Sequence, residues 1–76
     1  MITADNLIRD PAGSIRKWRK DNDLTLAQVA KVLPCSIGHL NDIEMNRSNP
    51  SVKLMREILF WGQRPEQIKK IWNAKK

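Results

Sequence analysis

The sequence has one cysteine, one histidine and no tyrosine, and its three glycines are scattered. A single thiol, Cys35, excludes an internal disulfide and a four-thiolate zinc site. Scattered glycines form no phosphate-cradling loop, and His39 has no obvious nucleophile to activate. Cys35 and His39 stand four positions apart, a spacing that can hold a metal on one helix face, but no further cysteine or histidine completes such a site. We therefore predict no metal, no cofactor and no enzymatic activity.

The sequence also lacks any apolar run long enough for a signal peptide or a membrane span. Together with the lone thiol, this favours a reducing cytoplasm as the location. The 76 residues are expected to form one domain, residues 1–76, with a small core and marginal stability. Pairing with a second copy would raise that stability.

The charge is positive and unevenly distributed. The formal net charge is +6, from 14 Lys and Arg against 8 Asp and Glu, which favours an anionic partner. Residues 63–76 hold five basic side chains (Arg64, Lys69, Lys70, Lys75 and Lys76) against Glu66 alone. A lysine-rich tail also keeps a small protein soluble. The charge by itself therefore leaves the partner open.

Helix-start residues recur along the chain, and each is followed by apolar residues three or four positions apart. We predict an all-α fold, a compact bundle of about five short helices, in which the last helix covers residues 65–74. The predicted helices open at Asp10-Pro11, Thr25, Ser36, Ser51 and Pro65.

Two of the predicted helices, 25–33 and 36–45, are joined by only Pro34 and Cys35. So short a link forces a sharp angle and leaves the second helix protruding, as in a helix-turn-helix over residues 25–46. A protruding helix fits the major groove of duplex DNA. The second helix carries no Lys or Arg but has Asp42 and Glu44, which would oppose the phosphate field unless each is paired.

The run from Leu24 to Leu33, with Ser36, Leu40, Ile43-Glu44 and Asn49-Pro50-Ser51, resembles the Cro and lambda-repressor-like helix-turn-helix family. The resemblance covers roughly residues 14–60. It implies a five-helix bundle that binds palindromic double-stranded DNA operators as a homodimer, with a structural salt bridge between Arg19 and Glu44. It also implies a DNA-binding set consisting of Thr25, Ser36, Ile37, Gly38, His39, Asn41, Asp42, Asn46, Arg47 and Ser48.

The C-terminal part of the chain carries more large apolar side chains than a terminal hairpin readily hides. Exposed apolar patches mark interaction sites, so we expect a homodimer surface there. Packing of the last helix inside its own chain is the alternative. The candidate dimerisation residues are Phe60, Trp61, Ile68, Ile71 and Trp72.

We therefore expect a sequence-specific, dimeric transcriptional regulator, a repressor of phage or bacterial type. The alternative is a protein-interaction module or an antitoxin that reuses the same fold. That alternative is motivated by the acidic second helix and the tryptophan-rich C-terminus.

Overall fold

A computed structural model describes residues 2–74 of the chain, and these residues form six α-helices and no strand. The all-α fold class is confirmed. Met1 and two of the tail lysines, Lys75 and Lys76, lie outside the described residues. The helices are α1 (Ala4–Arg9), α2 (Pro11–Asp21), α3 (Leu26–Val32), α4 (Ile37–Glu44), α5 (Val52–Gly62) and α6 (Pro65–Ala74).

The helix that the sequence did not predict is α1. The hydroxyl oxygen of Thr3 caps it by accepting the backbone N–H of Asn6 at 3.2 Å. Leu7 is buried, whereas Ile8 is 70% exposed, so a single apolar side chain anchors this helix to α2. The hydroxyl of Ser14 adds a hydrogen bond to the carbonyl oxygen of Asn6 at 2.8 Å.

The five predicted helix starts agree with the structure, and four of them have a local capping hydrogen bond, whereas α6 begins at Pro65 without one. The side chains of Thr25 and Gln28 form a reciprocal capping box, with bonds of 3.1 and 2.7 Å. Asp10, Ser36 and Ser51 each accept the backbone N–H three positions ahead. The end of α4 was also predicted, since the residue beyond its C-cap, Asn46, has a left-handed φ of 62°.

The core lies where α2, α4, α5 and α6 present their apolar faces, and Ile15, Leu40 and Ile43 are fully buried in it. The indole N–H of Trp18 donates to the carbonyl oxygen of Gly62 at 2.9 Å and ties α2 to the end of α5. A Cβ at position 62 would collide with Cγ2 of Ile2. The N-terminal segment therefore closes over the end of α5, and glycine is required there.

The predicted exposure of Ile68 is wrong, because this residue is fully buried within the chain. α6 packs against α3 and α5, and Ile68 is its contribution to the core. Phe60 remains 47% exposed, while Trp61, Ile71 and Trp72 are half-buried. Ile68 therefore packs inside its own chain, which was the alternative to a dimer contact. Through this packing α6 lies beside α3.

Candidate nucleic-acid interface

The two helices and the short turn expected over residues 25–46 are present. α3 ends because Leu33, which precedes Pro34, adopts an extended conformation with φ −96° and ψ 151°. Cys35 then donates its backbone N–H to the carbonyl oxygen of Leu33 at 2.8 Å, which tightens the turn. α3 and α4 pack directly against each other, with Val29 and Leu40 buried.

α4 has an inner face that belongs to the core and an outer face that does not. Leu40, Ile43 and Glu44 are buried on the inner face. On the outer face, Ile37 is 51% exposed and Gly38 is exposed, while His39, Asn41 and Asp42 are half-buried. A Cβ at Gly38 would meet only the hydroxyl oxygen of Ser36, at 3.9 Å, so packing within the chain does not require glycine at this position.

Glu44 is removed from the outer surface by a bidentate ion pair with Arg19. Nε and Nη2 of Arg19 each donate to one carboxylate oxygen of Glu44 at 2.8 Å. The remaining Nη1 donates to the carbonyl oxygen of Leu24 at 3.0 Å. The hydrogen bond to Glu44 raises the pKa of Arg19 above its ordinary value, against the opposing effect of burial. The pair fixes α2, the loop before α3 and the end of α4 relative to one another.

The second carboxylate of α4, that of Asp42, is paired with Arg47. Their side chains approach to 3.6 Å, and both are substantially exposed. The backbone N–H groups of Arg47 and Ser48 also donate to the carbonyl oxygen of Asp42, at 2.8 and 3.3 Å. This turn holds the loop after α4 against the outer face of the helix. Both acidic residues of α4 therefore have a cationic partner.

The predicted DNA-binding residues fall into two groups in the structure. Thr25 is exposed at the start of α3, at the far end of that helix from the turn. The others share one continuous stretch formed by the start of α4, its outer face and the following loop. That stretch contains Ser36, Ile37, Gly38, His39, Asn41, Asp42, Asn46, Arg47 and Ser48.

An open groove of about 290 Å³ beside the start of α4 was not expected from the sequence. Residues of α3, the turn residue Cys35, the start of α4 and Trp72 of α6 all contribute to its lining. Burial raises the pKa of the Cys35 thiol. No local spacing links residues 31 and 72, so only the packing of α6 on α3 reveals the groove. Its lining residues are Ala27, Ala30, Lys31, Cys35, Ser36, Ile37 and Trp72.

No group of three or more His, Cys, Asp or Glu residues within 2–74 is placed to hold a metal ion. None of the helices in that range combines the length and the apolar character needed to cross a membrane.

Comparison with known proteins gives one positive result. A family model described as helix-turn-helix matches residues 15–59, more than half of the chain, from α2 through most of α5. No curated protein and no solved structure gives a match. The family is one of DNA-binding regulatory domains rather than enzymes, and the match includes α3, the turn and α4. The chain therefore belongs to the helix-turn-helix family, and this membership indicates a DNA-binding transcriptional regulator.

Proposed function

We propose that this protein is a sequence-specific double-stranded DNA-binding regulator that acts in the cytoplasm as a dimeric repressor of phage or bacterial type. One observation carries the proposal: α4 is fixed by its buried face, while its outer face stays partly exposed to solvent. The ion pair of Glu44 with Arg19 supports it further, because it takes one of the two carboxylates of α4 off the surface, and Arg47 partly offsets the charge of the other, Asp42.

The side chains on the outer face of α4 match distinct features of the major groove. Ile37 is apolar and exposed, so it is suited to the methyl group of thymine. Asn41 carries an amide that can bond to adenine through two hydrogen bonds. His39 is suited to a guanine acceptor or a phosphate. Gly38, which the fold does not need, allows the DNA to approach the backbone closely.

Affinity must come largely from outside α4, because the helix carries no Lys or Arg. Arg47 follows α4, and its side chain is 64% exposed, which leaves donors free for a phosphate beside its contact with Asp42. Asn46 and Ser48 flank it in the same loop. The hydroxyl oxygen of Thr25 accepts the N–H of Gln28, so its own hydrogen remains free to donate to a second phosphate.

The dimer surface that we propose is centred on Phe60. Phe60 and Val52 are eight positions apart on α5 and are 47% and 62% exposed, so they share one exposed edge of that helix. Phe60 also meets Trp61 edge to face, with 5.2 Å between ring centroids. We place Trp61 and Ile71 at the rim of this surface, with Ile68 in the core and Trp72 in the groove. In the proposed mechanism the two α4 helices of the dimer enter successive major grooves, about 34 Å apart.

Selection of bound duplexes from a random-sequence library tests this function. The proposal expects a palindromic consensus with half-sites about one helical turn apart, since two copies present the same face. A consensus without symmetry would contradict the dimeric mechanism. A selected pool with no consensus would contradict sequence specificity and favour the protein-interaction module or antitoxin.

A further inference from the structure

The groove between α3 and α6 adjoins the proposed DNA surface but is not explained by it. We call it the α3–α6 groove; its residues are Ala27, Ala30, Lys31, Cys35, Ser36, Ile37 and Trp72. Ser36 and Ile37 belong both to the groove and to the exposed start of α4. The mouth of the groove is therefore continuous with the face that we assign to the major groove of DNA.

We propose that the α3–α6 groove receives the sugar-phosphate backbone next to the base pairs that α4 contacts, with Lys31 as its phosphate ligand and Trp72 as its outer wall. This inference rests on the proposed DNA-binding function. It extends the contact surface to α6, a helix that lies beyond the matched residues 15–59.

The surface of the groove is mainly apolar, and its one charged residue is basic, which suits an anionic group joined to an apolar one. Among the described residues that line it, Lys31 alone is charged, and no carboxylate is present. Lys31 is exposed at the last turn of α3, so its ammonium is free to move toward a phosphate.

The other walls fit a deoxyribose. Ala27 and Ala30 are small, so they leave a shallow apolar depression against which a sugar ring can rest. Trp72 closes the depression from the side of α6 with a broad, flat ring. Ile68, one turn before Trp72, is fully buried and holds α6 against the body of the protein. The backbone of α6 that carries Trp72 is therefore held in place by the core.

The sole cysteine of the chain lines the groove and provides a direct probe. The rate at which iodoacetamide alkylates Cys35 should be measured with and without duplex DNA, with saturation verified by fluorescence anisotropy on the same sample. If DNA occupies the groove, the alkylation of Cys35 should be at least several-fold slower in the complex than in the free protein. An unchanged rate at verified saturation would overturn the inference while leaving DNA binding established.

A matched pair of charge variants gives an independent test. Lys31→Gln removes one positive charge from the groove, whereas Lys17→Gln removes one from α2, where Lys17 is exposed and paired with Asp21. The slope of log K against log salt should become shallower by about 0.9 for Lys31→Gln and stay unchanged for Lys17→Gln. Equal slopes for the two variants and the wild type would contradict the groove contact. Absence of any duplex binding by the wild type would overturn the proposed function as well.

Discussion

Arg19 and Glu44 are 25 positions apart in the sequence, and both carboxylate oxygens of Glu44 accept hydrogen bonds from the Arg19 guanidinium at 2.8 Å. Only 14% of the Arg19 side chain and 5% of the Glu44 side chain are exposed. This pair ties the last turn of α4 to α2. It therefore determines the angle at which the start of α4 projects from the domain.

Removal of one partner from this pair should destabilise the protein strongly. Glu44→Ala leaves the guanidinium of Arg19 poorly paired in a mostly buried site, which we expect to reduce the free energy of unfolding by about 2–4 kcal/mol. Urea denaturation measures this change. The double variant Arg19→Met with Glu44→Ala should recover part of the loss, because no unpaired charge then remains. A loss below about 1 kcal/mol for Glu44→Ala would be typical of a surface pair and would contradict this account.

Neutralising Asp42 should strengthen DNA binding without affecting the fold. The carboxylate lies 3.6 Å from Arg47 in an exposed setting, so the pair contributes at most about 1 kcal/mol to stability. Asp42→Asn removes a negative charge from the DNA-facing surface and releases Arg47 for phosphate. We expect tighter binding to a random duplex and an unchanged unfolding midpoint. Arg47→Gln is the matched counterpart and should weaken binding, with a salt slope shallower by about 0.9. Weaker binding by Asp42→Asn would show that the carboxylate contacts a base.

The close approach of Gly62 to Ile2 can be tested with substitutions at both positions. A methyl group there overlaps Cγ2 of Ile2, so Gly62→Ala should destabilise the fold by about 1–3 kcal/mol. In an Ile2→Ala background the overlap is absent, and the same substitution should have a much smaller effect. A double-mutant cycle from urea denaturation gives the coupling. Additive effects of the two substitutions would contradict the close approach of these residues.

The reactivity of Cys35 should depend on pH in a direction set by its burial. Burial disfavours the thiolate and raises the pKa of Cys35 in the folded protein above that in the unfolded chain. The contribution of this pKa difference to the free energy of unfolding is fully present below the pKa that Cys35 has in the unfolded chain. It is lost as the pH rises through the pKa of Cys35 in the folded protein. The alkylation rate of the folded protein should therefore reach its half-maximum at a higher pH than that of the urea-unfolded chain. A midpoint at lower pH in the folded protein would be the opposite of this expectation.

The proposed dimer surface is tested by Phe60→Ser, with Ile8→Ser as the control. Both residues are exposed and apolar, but Phe60 lies on α5 and Ile8 on α1. Sedimentation equilibrium should show a dimer for the wild type and for Ile8→Ser, and a monomer for Phe60→Ser. If both variants are monomers, or if both remain dimers, the dimer contact does not depend on Phe60 as we propose.

The sequence predicted the helices that have local start residues. The capping box of Thr25 and Gln28, the serine caps and the prolines at positions 11 and 65 all act within one turn of the chain, so their effect can be deduced from spacing. α1 was missed because its six residues are too few to show more than one turn of apolar spacing, and only Leu7 among them is buried. The one sequence feature that indicated a helix here was its capping residue, Thr3.

Contacts between distant residues could not be predicted from spacing. The hydrogen bond from Trp18 to Gly62 spans 44 positions, and the groove joins Lys31 to Trp72 only after α6 has packed on α3. The outward position assigned to Ile68 failed for the same reason, since its burial depends on which neighbour α6 selects. The pairing of Asp42 with Arg47 depends on the left-handed turn at Asn46, so the spacing of the two charges alone did not show it.

The central claim is that α4 and its flanking loop bind duplex DNA. The most direct test is a salt titration of the wild-type protein with a labelled random duplex of 20–30 base pairs, roughly the length of two half-sites, followed by fluorescence anisotropy. We expect clear association at about 50 mM salt and a linear decrease of log K with log salt concentration, because Arg47 and the lysines release counterions from the phosphates. Absence of association at that salt concentration would contradict the binding of duplex DNA by α4 and its flanking loop.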